Sequence, residues 1–250
     1  MKQLNLITGL TKKETAIEFL KEHEPKEGYF LGFSGGKDSI VMYDLAIKAG
    51  VQFYPYYAAT GIDPPELVKF IRDRYQDVIW KRPKESFYAM IPKKGFPTKF
   101  ARWCCDELKK KPTKDVPLKH RLMGIRAEES NKRANRGQIN TYNKQIIYSP
   151  IFNWLEWEVW EYIDSYGLPY CSLYDEGFHR LGCVVCPFLC RSNQTALNKH
   201  KERWPKHYVA FEKAMYKLYD RKEWWRQVKK RYSMTYEEFI ENWYKGNKKR

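Results

Sequence analysis

Phe33-Ser34-Gly35-Gly36-Lys37-Asp38-Ser39 is the stretch on which the reading of this 250-residue chain turns. The short apolar run Tyr29-Phe30-Leu31-Gly32-Phe33 predicts a strand on its N-terminal side. On the other side, Ser39 to Ala49 places Ile40, Val41, Tyr43, Leu45 and Ala46 at helical spacing, with Gly50 as the C-terminal cap. Two glycines between a strand and a helix let the backbone turn tightly, so that successive N–H groups converge on an anion. Ser34 and Ser39 add hydroxyl donors, Lys37 adds charge, and the helix aims its positive end at the same place. The spacing is neither that of a Walker loop nor G-x-G-x-x-G. The alternative, an ordinary Gly-Gly turn, is disfavoured by the Ser-Gly-Gly-Lys-Asp-Ser context.

Working outward, strand-like and helix-like stretches alternate. Thr11 to Glu24 reads as an amphipathic helix, Val51 to Ala59 as a strand, and Pro64-Pro65 open a helix through Tyr75. Further strands are expected at Asp77 to Lys81, Leu122 to Ile125 and Ile146 to Ile151, with a helix from Glu156 to Ser165. Such alternation predicts an α/β fold, a parallel sheet flanked by helices, with ligands beyond the carboxyl ends of its strands. Past Gly167 a cysteine-bearing, loop-rich segment leads into helical, aromatic and basic sequence. The expected division is residues 1–166 as a nucleotide-binding α/β domain and 167–250 as a cysteine-containing, aromatic and basic extension docked on it.

Composition sets the outer limits. With 43% hydrophobic and 16% aromatic residues the chain can bury a core, which excludes general disorder. Lys and Arg number 46 against 30 Asp and Glu, a net charge of +16. From Arg191 onward there are 17 basic and 7 acidic residues, a concentration that points to an anionic partner. No apolar stretch approaches membrane-spanning length and Met1 to Leu20 lacks a signal peptide's layout, so a cytoplasmic protein is expected.

Six cysteines fall at positions 104, 105, 171, 183, 186 and 190. Cys104-Cys105 and Cys183-Val184-Val185-Cys186 are spacings that hold a metal or cluster in a reducing compartment. Four thiolates satisfy a [4Fe–4S] cluster or tetrahedral Zn²⁺. Adjacent cysteines diverge, which disfavours zinc; buried or redox thiols without metal are the third option. Cys190 could replace one of the first pair, and Cys171 reads as a small core residue.

Ser34-Gly35-Gly36-Lys37-Asp38-Ser39 resembles the PP-loop of the adenine nucleotide alpha-hydrolase superfamily, the PP-loop ATP pyrophosphatases and sulfonucleotide reductases. Three further stretches narrow the resemblance to the phosphoadenosine phosphosulfate (PAPS) reductase-like family. Thr60-Gly61 with Pro65-Glu66 resembles its second-strand motif, with Ala59 where that family usually carries Asp. Gly124-Ile125-Arg126-Ala127-Glu128-Glu129-Ser130 resembles the fourth-strand motif, and Ser149-Pro150-Ile151-Phe152-Asn153-Trp154 the Pro-Ile-x-x-Trp signature. The resemblance runs from about Tyr29 to Pro205 and implies a Rossmann-like (HUP-type) sheet. It implies adenine-nucleotide contacts at Ser34, Gly35, Gly36, Lys37, Asp38, Ser39, Thr60, Gly61 and Arg126, with Lys37, Asp38 and Arg126 catalytic. The cysteine arrangement is similar to the cluster ligation of adenylylsulfate reductases, which implies Cys104, Cys105, Cys183 and Cys186 as [4Fe–4S] ligands.

Arg126 by its own chemistry can offer a planar fork to phosphate, or pair structurally with Glu128 and Glu129. In the C-terminal stretch, Tyr208, Phe211, Met215, Leu218 and Tyr219 keep core spacing. The basic residues Lys213, Lys217, Arg221, Lys222, Lys229, Lys230 and Arg231 form a solvated face or a nucleic-acid footprint. Three functions are carried forward. The leading one is an ATP pyrophosphatase using Mg²⁺, which adenylates an acceptor for sulfur transfer. The resemblance then implies DNA or tRNA as acceptor and a sulfur donor protein such as a cysteine desulfurase. The second is an adenylylsulfate (APS) or PAPS reductase; the family's C-terminal Glu-Cys-Gly type of motif has no counterpart after Cys190, which favours the first. The third is a non-catalytic nucleotide- or nucleic-acid-binding module, for which Ala59 speaks.

Overall fold

The computed structural model describes residues 9–192, 194–221 and 235–246, with backbone alone for 190–192. These fall into two compact units. The first contains residues 9–58, 65–81 and 115–181; the second contains 59–64, 82–114 and the described residues from 182 onward.

The first unit is a six-stranded sheet. Its strands are β1 (Tyr29–Gly32), β2 (Phe53–Ala58), β3 (Ile79–Lys81), β4 (His120–Leu122), β5 (Ile139–Tyr142) and β6 (Gln145–Tyr148). Their spatial order is β3-β2-β1-β4-β6-β5. All pairs are parallel except β5 with β6. This is the Rossmann-like α/β arrangement that the sequence predicts, with one antiparallel edge added. The edge is a hairpin whose two turn residues, Asn143 and Lys144, have φ of 48° and 64°, the left-handed pair of a tight turn matched to strand twist. Sequence alternation over Ile139-Asn140-Thr141-Tyr142 is too short to announce it.

β1 is central. Tyr29, Phe30 and Leu31 are all buried, because helices cover both faces of a parallel sheet. The first helices of this unit are α1 (Lys12–Glu22), α2 (Lys37–Ala49) and α3 (Pro65–Arg74). Thr11 caps α1 through a capping box with Glu14, and Gly50 closes α2 at φ 68°. The expected strand at Leu122 to Ile125 lies earlier, at His120–Leu122, since Gly124 passes against the backbone of Asp38. The strand expected to run to Ile151 stops at Tyr148, before Pro150, which has no N–H for a ladder.

From β1 the chain winds through β2 to β3 on one side, then through β4 to β6 on the other. The strand order therefore reverses between β1 and β4. Loops leaving the carboxyl ends of two such strands diverge and open a crevice, the usual ligand position in this architecture. Here those loops carry Ser34–Ser39 and Gly124–Glu129.

The second unit is helical. It contains α4 (Phe87–Lys94), which Pro92 obscures in the sequence. In the first unit, α5 (Glu156–Ser165) forms where the sequence predicts it. The second unit continues with α6 (Pro187–Ser192), α7 (Gln194–Arg203), α8 (Pro205–Tyr219) and α9 (Tyr236–Lys245). The aromatic stripe is its core: Trp204, Tyr208, Phe211, Met215, Leu218, Phe239 and Trp243 are buried. Phe87 stacks on Phe211 at 6.2 Å, and Trp243 donates its indole N–H to the Pro97 carbonyl at 2.8 Å. Lys222, Trp224, Trp225, Lys229, Lys230, Arg231 and Tyr232 lie outside the described residues, as does the side chain of Cys190. No helix among the described residues is long and apolar enough to cross a membrane.

Candidate functional site

The loop between β1 and α2 is braced from within. Ser39 Oγ donates to the Gly36 carbonyl at 2.8 Å and accepts the Ser34 N–H at 3.2 Å. Ser34 Oγ lies 3.2 Å from Ser39 Oγ and accepts the Gly36 N–H at 3.4 Å. The two hydroxyls thus shape the turn, where the sequence suggested donors for a ligand. Gly35 has φ 70°, and a Cβ there would meet the Ile71 and Leu67 side chains of α3 at 2.7–2.8 Å. Only glycine fits this bend. Gly36 caps α2 without a side-chain bond, and its carbonyl accepts the Ser39 N–H at 2.9 Å, so the positive end of the helix starts at this loop.

Lys37 is buried, and its atoms are held by a segment the sequence reading did not implicate. Its backbone N–H donates to Tyr174 Oη at 3.0 Å. Its ammonium donates to the His179 carbonyl at 3.3 Å and lies 3.2 Å from Glu156 Oε1. Burial pushes the Tyr174 phenol above its ordinary pKa, so it stays a neutral hydroxyl. Trp160 packs edge-on against Tyr174 at 4.9 Å and fixes the ring. Glu156 opens α5, and its N–H donates to both Glu128 oxygens at 3.0 and 3.1 Å.

Arg126 is 3% exposed. Its Nε donates to Asp38 Oδ1 at 2.6 Å, and its Nη1 lies 3.0 Å from Glu128 Oε1. Burial opposes its charge, but Asp38 and then Glu128 outweigh that and hold the guanidinium above its ordinary value. Glu129, offered by sequence as a partner, instead pairs with Arg133 and accepts the Arg126 backbone N–H at 3.1 Å. Gly124 permits the approach of Arg126 to α2: a Cβ there would lie 3.1 Å from the backbone of Asp38. Arg126, distant in sequence from Lys37 and Asp38, is thereby joined to them in one network with Glu128 and Glu156. Two cations of this network sit at the positive end of a helix, an arrangement able to receive an anion once Glu156, whose side chain is 48% exposed, swings aside.

Thr60 and Gly61 belong to the second unit. Thr60 Oγ1 donates to Asp63 Oδ2 at 2.8 Å, and the Ile62 carbonyl accepts the Val184 N–H at 2.8 Å. That bond ties the Thr60-Gly61 turn to the loop bearing Cys183 and Cys186. The same unit holds Cys104 and Cys105, at the start of a helical stretch with a π turn over Asp106–Lys110. The Cys104 thiol donates to the Cys105 sulfur, which, with help from Lys109 and Arg102, brings Cys105 down to about 6 against the effect of burial. The Cys104 thiol is correspondingly held protonated. Burial pushes Cys183 up to about 11. Lys109, whose charge is stabilised first by Cys183, then by Asp63, Cys105 and Cys186, marks all these thiols as members of one electrostatic neighbourhood. In donor chemistry the four sulfurs suit a thiophilic centre, while the Lys109 ammonium, which has no lone pair, can only offset thiolate charge. Among the described residues, no three His, Cys, Asp or Glu side chains converge on a single metal position. Cys171 is buried in the first unit, as a core residue should be.

Of the residues found here, Tyr174, Glu156 and His179 carry no local signal, and Asp63 and Lys109 show one only through their places beside Thr60-Gly61 and Cys104-Cys105.

The family model described as the phosphoadenosine phosphosulfate reductase domain matches residues 28–189. An uncharacterised protein of Methanocaldococcus jannaschii is 33% identical over 218 residues, 81% of this chain and 45% of that protein. A probable FAD synthase of Caenorhabditis elegans is 28% identical over 191 residues, covering 72% and 34%. The chain thus spans less than half the length of either relative. Among solved structures, the PAPS reductase of Candida auris in its phosphate complex superposes with a TM-score of 0.53 at 20% identity, over 71% of this chain and 90% of that one, a likeness of fold.

Proposed function

The chain belongs to the phosphoadenosine phosphosulfate reductase domain family, and on that premise we propose that it is a PP-loop ATP pyrophosphatase. It would form AMP and pyrophosphate while adenylating an acceptor for sulfur transfer. The observation that carries this reading is the network at the start of α2, where Arg126 reaches across 88 positions to Asp38 while Lys37 is held by Glu156. The matched family model is described by phosphoadenosine phosphosulfate and one relative by FAD, both adenine-containing compounds.

In the proposed reaction an acceptor oxygen attacks the alpha phosphorus of ATP, the bond to the bridging oxygen breaks, and pyrophosphate leaves with that electron pair. Sulfur then attacks the acceptor atom that bears the adenylated oxygen, the bond between that atom and the oxygen breaks, and AMP leaves carrying the oxygen and its electron pair. Lys37 exchanges Glu156 for a phosphate oxygen, and its ammonium neutralises charge developing on the leaving group. Arg126 stays charged, and Asp38 with Glu128 fixes the plane of its guanidinium before substrate arrives, so little reorganisation is needed in the transition state. The Tyr174 hydroxyl holds the first N–H of α2 in place. Mg²⁺ would enter with the ATP phosphates, since Asp38 and Glu128 are both engaged by Arg126.

Cys104, Cys105, Cys183 and Cys186 are the side chains that would hold a [4Fe–4S] cluster, or Zn²⁺ in its place. A bound cluster supplies electron transfer, a site to relay sulfur, or a structural brace. No step of the adenylation passes through it. The acceptor proposed is DNA or tRNA, with a desulfurase-type protein as sulfur donor.

Product analysis tests the reading: the chain is incubated with ATP or with adenylylsulfate plus thiol. Pyrophosphate from ATP, abolished by Lys37→Ala, is the expected result. Sulfite from adenylylsulfate would replace it with the reductase reading, and binding without either product would leave a non-catalytic module.

A further inference from the structure

We propose that Phe100, Phe188, Lys99 and Arg102 form a docking surface for single-stranded nucleic acid, with the two rings stacking on bases and the two cations meeting phosphates. Phe100 is 86% exposed, the most exposed large apolar side chain among the described residues. A phenylalanine left in water forgoes the stabilisation that burial supplies, and one ring alone would be ordinary; what sets this one apart is its place beside a second ring and two cations. It is not a loose end of chain. Thr98 Oγ1 accepts the N–H groups of Phe100 at 3.3 Å and Ala101 at 2.8 Å, and the Thr98 N–H donates to the Ala101 carbonyl at 3.3 Å. This tight turn lifts the ring at its tip. Its base is anchored by Trp103, which donates to the Gly95 carbonyl at 3.2 Å and stacks on Phe87 at 5.8 Å.

The second ring, Phe188 on α6, is 42% exposed. Lys99 Nζ and Arg102 Cζ stand 5.9 and 5.5 Å from its centroid. Nearby lysines are neutralised: Lys93 by Glu85, Lys94 and Lys111 by Glu107, Lys110 by Asp106. Neither Lys99 nor Arg102 has a carboxylate partner among the described residues. Exposed rings interleaved with cations that lack a carboxylate partner fit a polymer that alternates a flat π-face with a phosphate. An apolar protein surface would instead bury both cations without supplying a carboxylate, at a cost.

The placement gives this surface a purpose. Arg102 lies two positions before Cys104, and Phe188 two positions after Cys186, in the same compact unit. A strand seated on the two rings is therefore held beside the thiol neighbourhood. That such a strand is the sulfur acceptor rests on the proposed adenylation reading; that it binds does not.

The test is fluorescence anisotropy of labelled oligo(dT) and oligo(U) titrated with the full chain at low and at moderate salt. Wild type is expected to bind, and the two oligomers tell whether DNA or RNA is preferred. Phe100→Ala and Phe188→Ala should each weaken binding about tenfold with the salt dependence unchanged, and Phe100→Trp should retain it. Lys99→Gln and Arg102→Gln should each lower the slope of log K against log salt by about 0.7. No binding at low salt, or wild-type affinity in both ring variants, overturns the proposal. Pyrophosphate release is measured on the same preparations: its absence with binding intact fails the adenylation reading alone, and its presence without binding fails only the docking surface.

Discussion

Replacing Arg126 by Gln separates a phosphate-binding arginine from a structural strut. The guanidinium is 3% exposed and compensates Asp38 at 2.6 Å and Glu128 at 3.0 Å. Removing one partner of a fully buried pair costs about 3–5 kcal/mol, mostly because a charge is stranded. Here the stranded carboxylates retain 23% and 33% side-chain exposure, so water reaches both and the cost falls to about 2 kcal/mol. With a urea dependence of about 2 kcal/mol/M, the unfolding midpoint should drop by about 1 M. Adding Asp38→Asn to Arg126→Gln removes one of the two stranded charges and should recover about half of that loss. Pyrophosphate release should stay lost in the single and the double variant alike, because neither presents the second cation, that of Arg126, to phosphate. If the double variant recovers turnover together with stability, Arg126 is a strut and its proposed chemistry is wrong. If the single variant unfolds like wild type, the ion pair itself is refuted.

Gly35→Ala and Gly50→Ala form a matched pair, with φ of 70° and 68°, but only the first Cβ meets neighbours, at 2.7–2.8 Å. Urea unfolding should show about 1 kcal/mol lost at Gly50 and about 2–4 kcal/mol at Gly35, the difference being the overpacking against α3. Equal losses would contradict the close approach. His200 is held below its ordinary pKa by burial, so below pH about 6.5 the unfolded chain binds more protons than the folded one. Stability should therefore fall as pH drops from there towards the folded value, by at most about 1.4 kcal/mol per pH unit, and His200→Gln should flatten that limb of a pH series of melts. Anaerobically purified chain should contain about four iron atoms, lost in Cys183→Ala and in Cys186→Ala; stoichiometric zinc without iron in that preparation would reject the cluster.

Much of the sheet was legible because its signals are local. Apolar run length, the helical spacing of Ile40, Val41 and Leu45, a capping residue such as Thr11 and a left-handed glycine such as Gly50 all act within a few positions. The strand Ile139–Tyr142 escaped because so short a segment carries too little alternation, although its partner was read as Ile146 to Ile151, and α4 escaped because of its internal proline. Core assignment of the stripe in α8 followed from period alone, and the structure buries Tyr208, Phe211, Met215 and Leu218 but leaves Tyr219 half-buried.

What lies far apart in the chain was decided only by folding. The order of residues marks Lys37 and Arg126 as cations near strand ends, but not that Asp38 would hold Arg126 or that Tyr174, 137 positions on, would take the Lys37 N–H. Likewise Thr60-Gly61 reads as a nucleotide motif, and only the fold joins it to the cysteine loop through Ile62 and Val184. Backbone conformation answers to neighbours in sequence, whereas an ion pair or a shared hydroxyl answers to neighbours in space. Those are chosen by the burial of whole strands and helices, a cooperative outcome that no short window of residues contains.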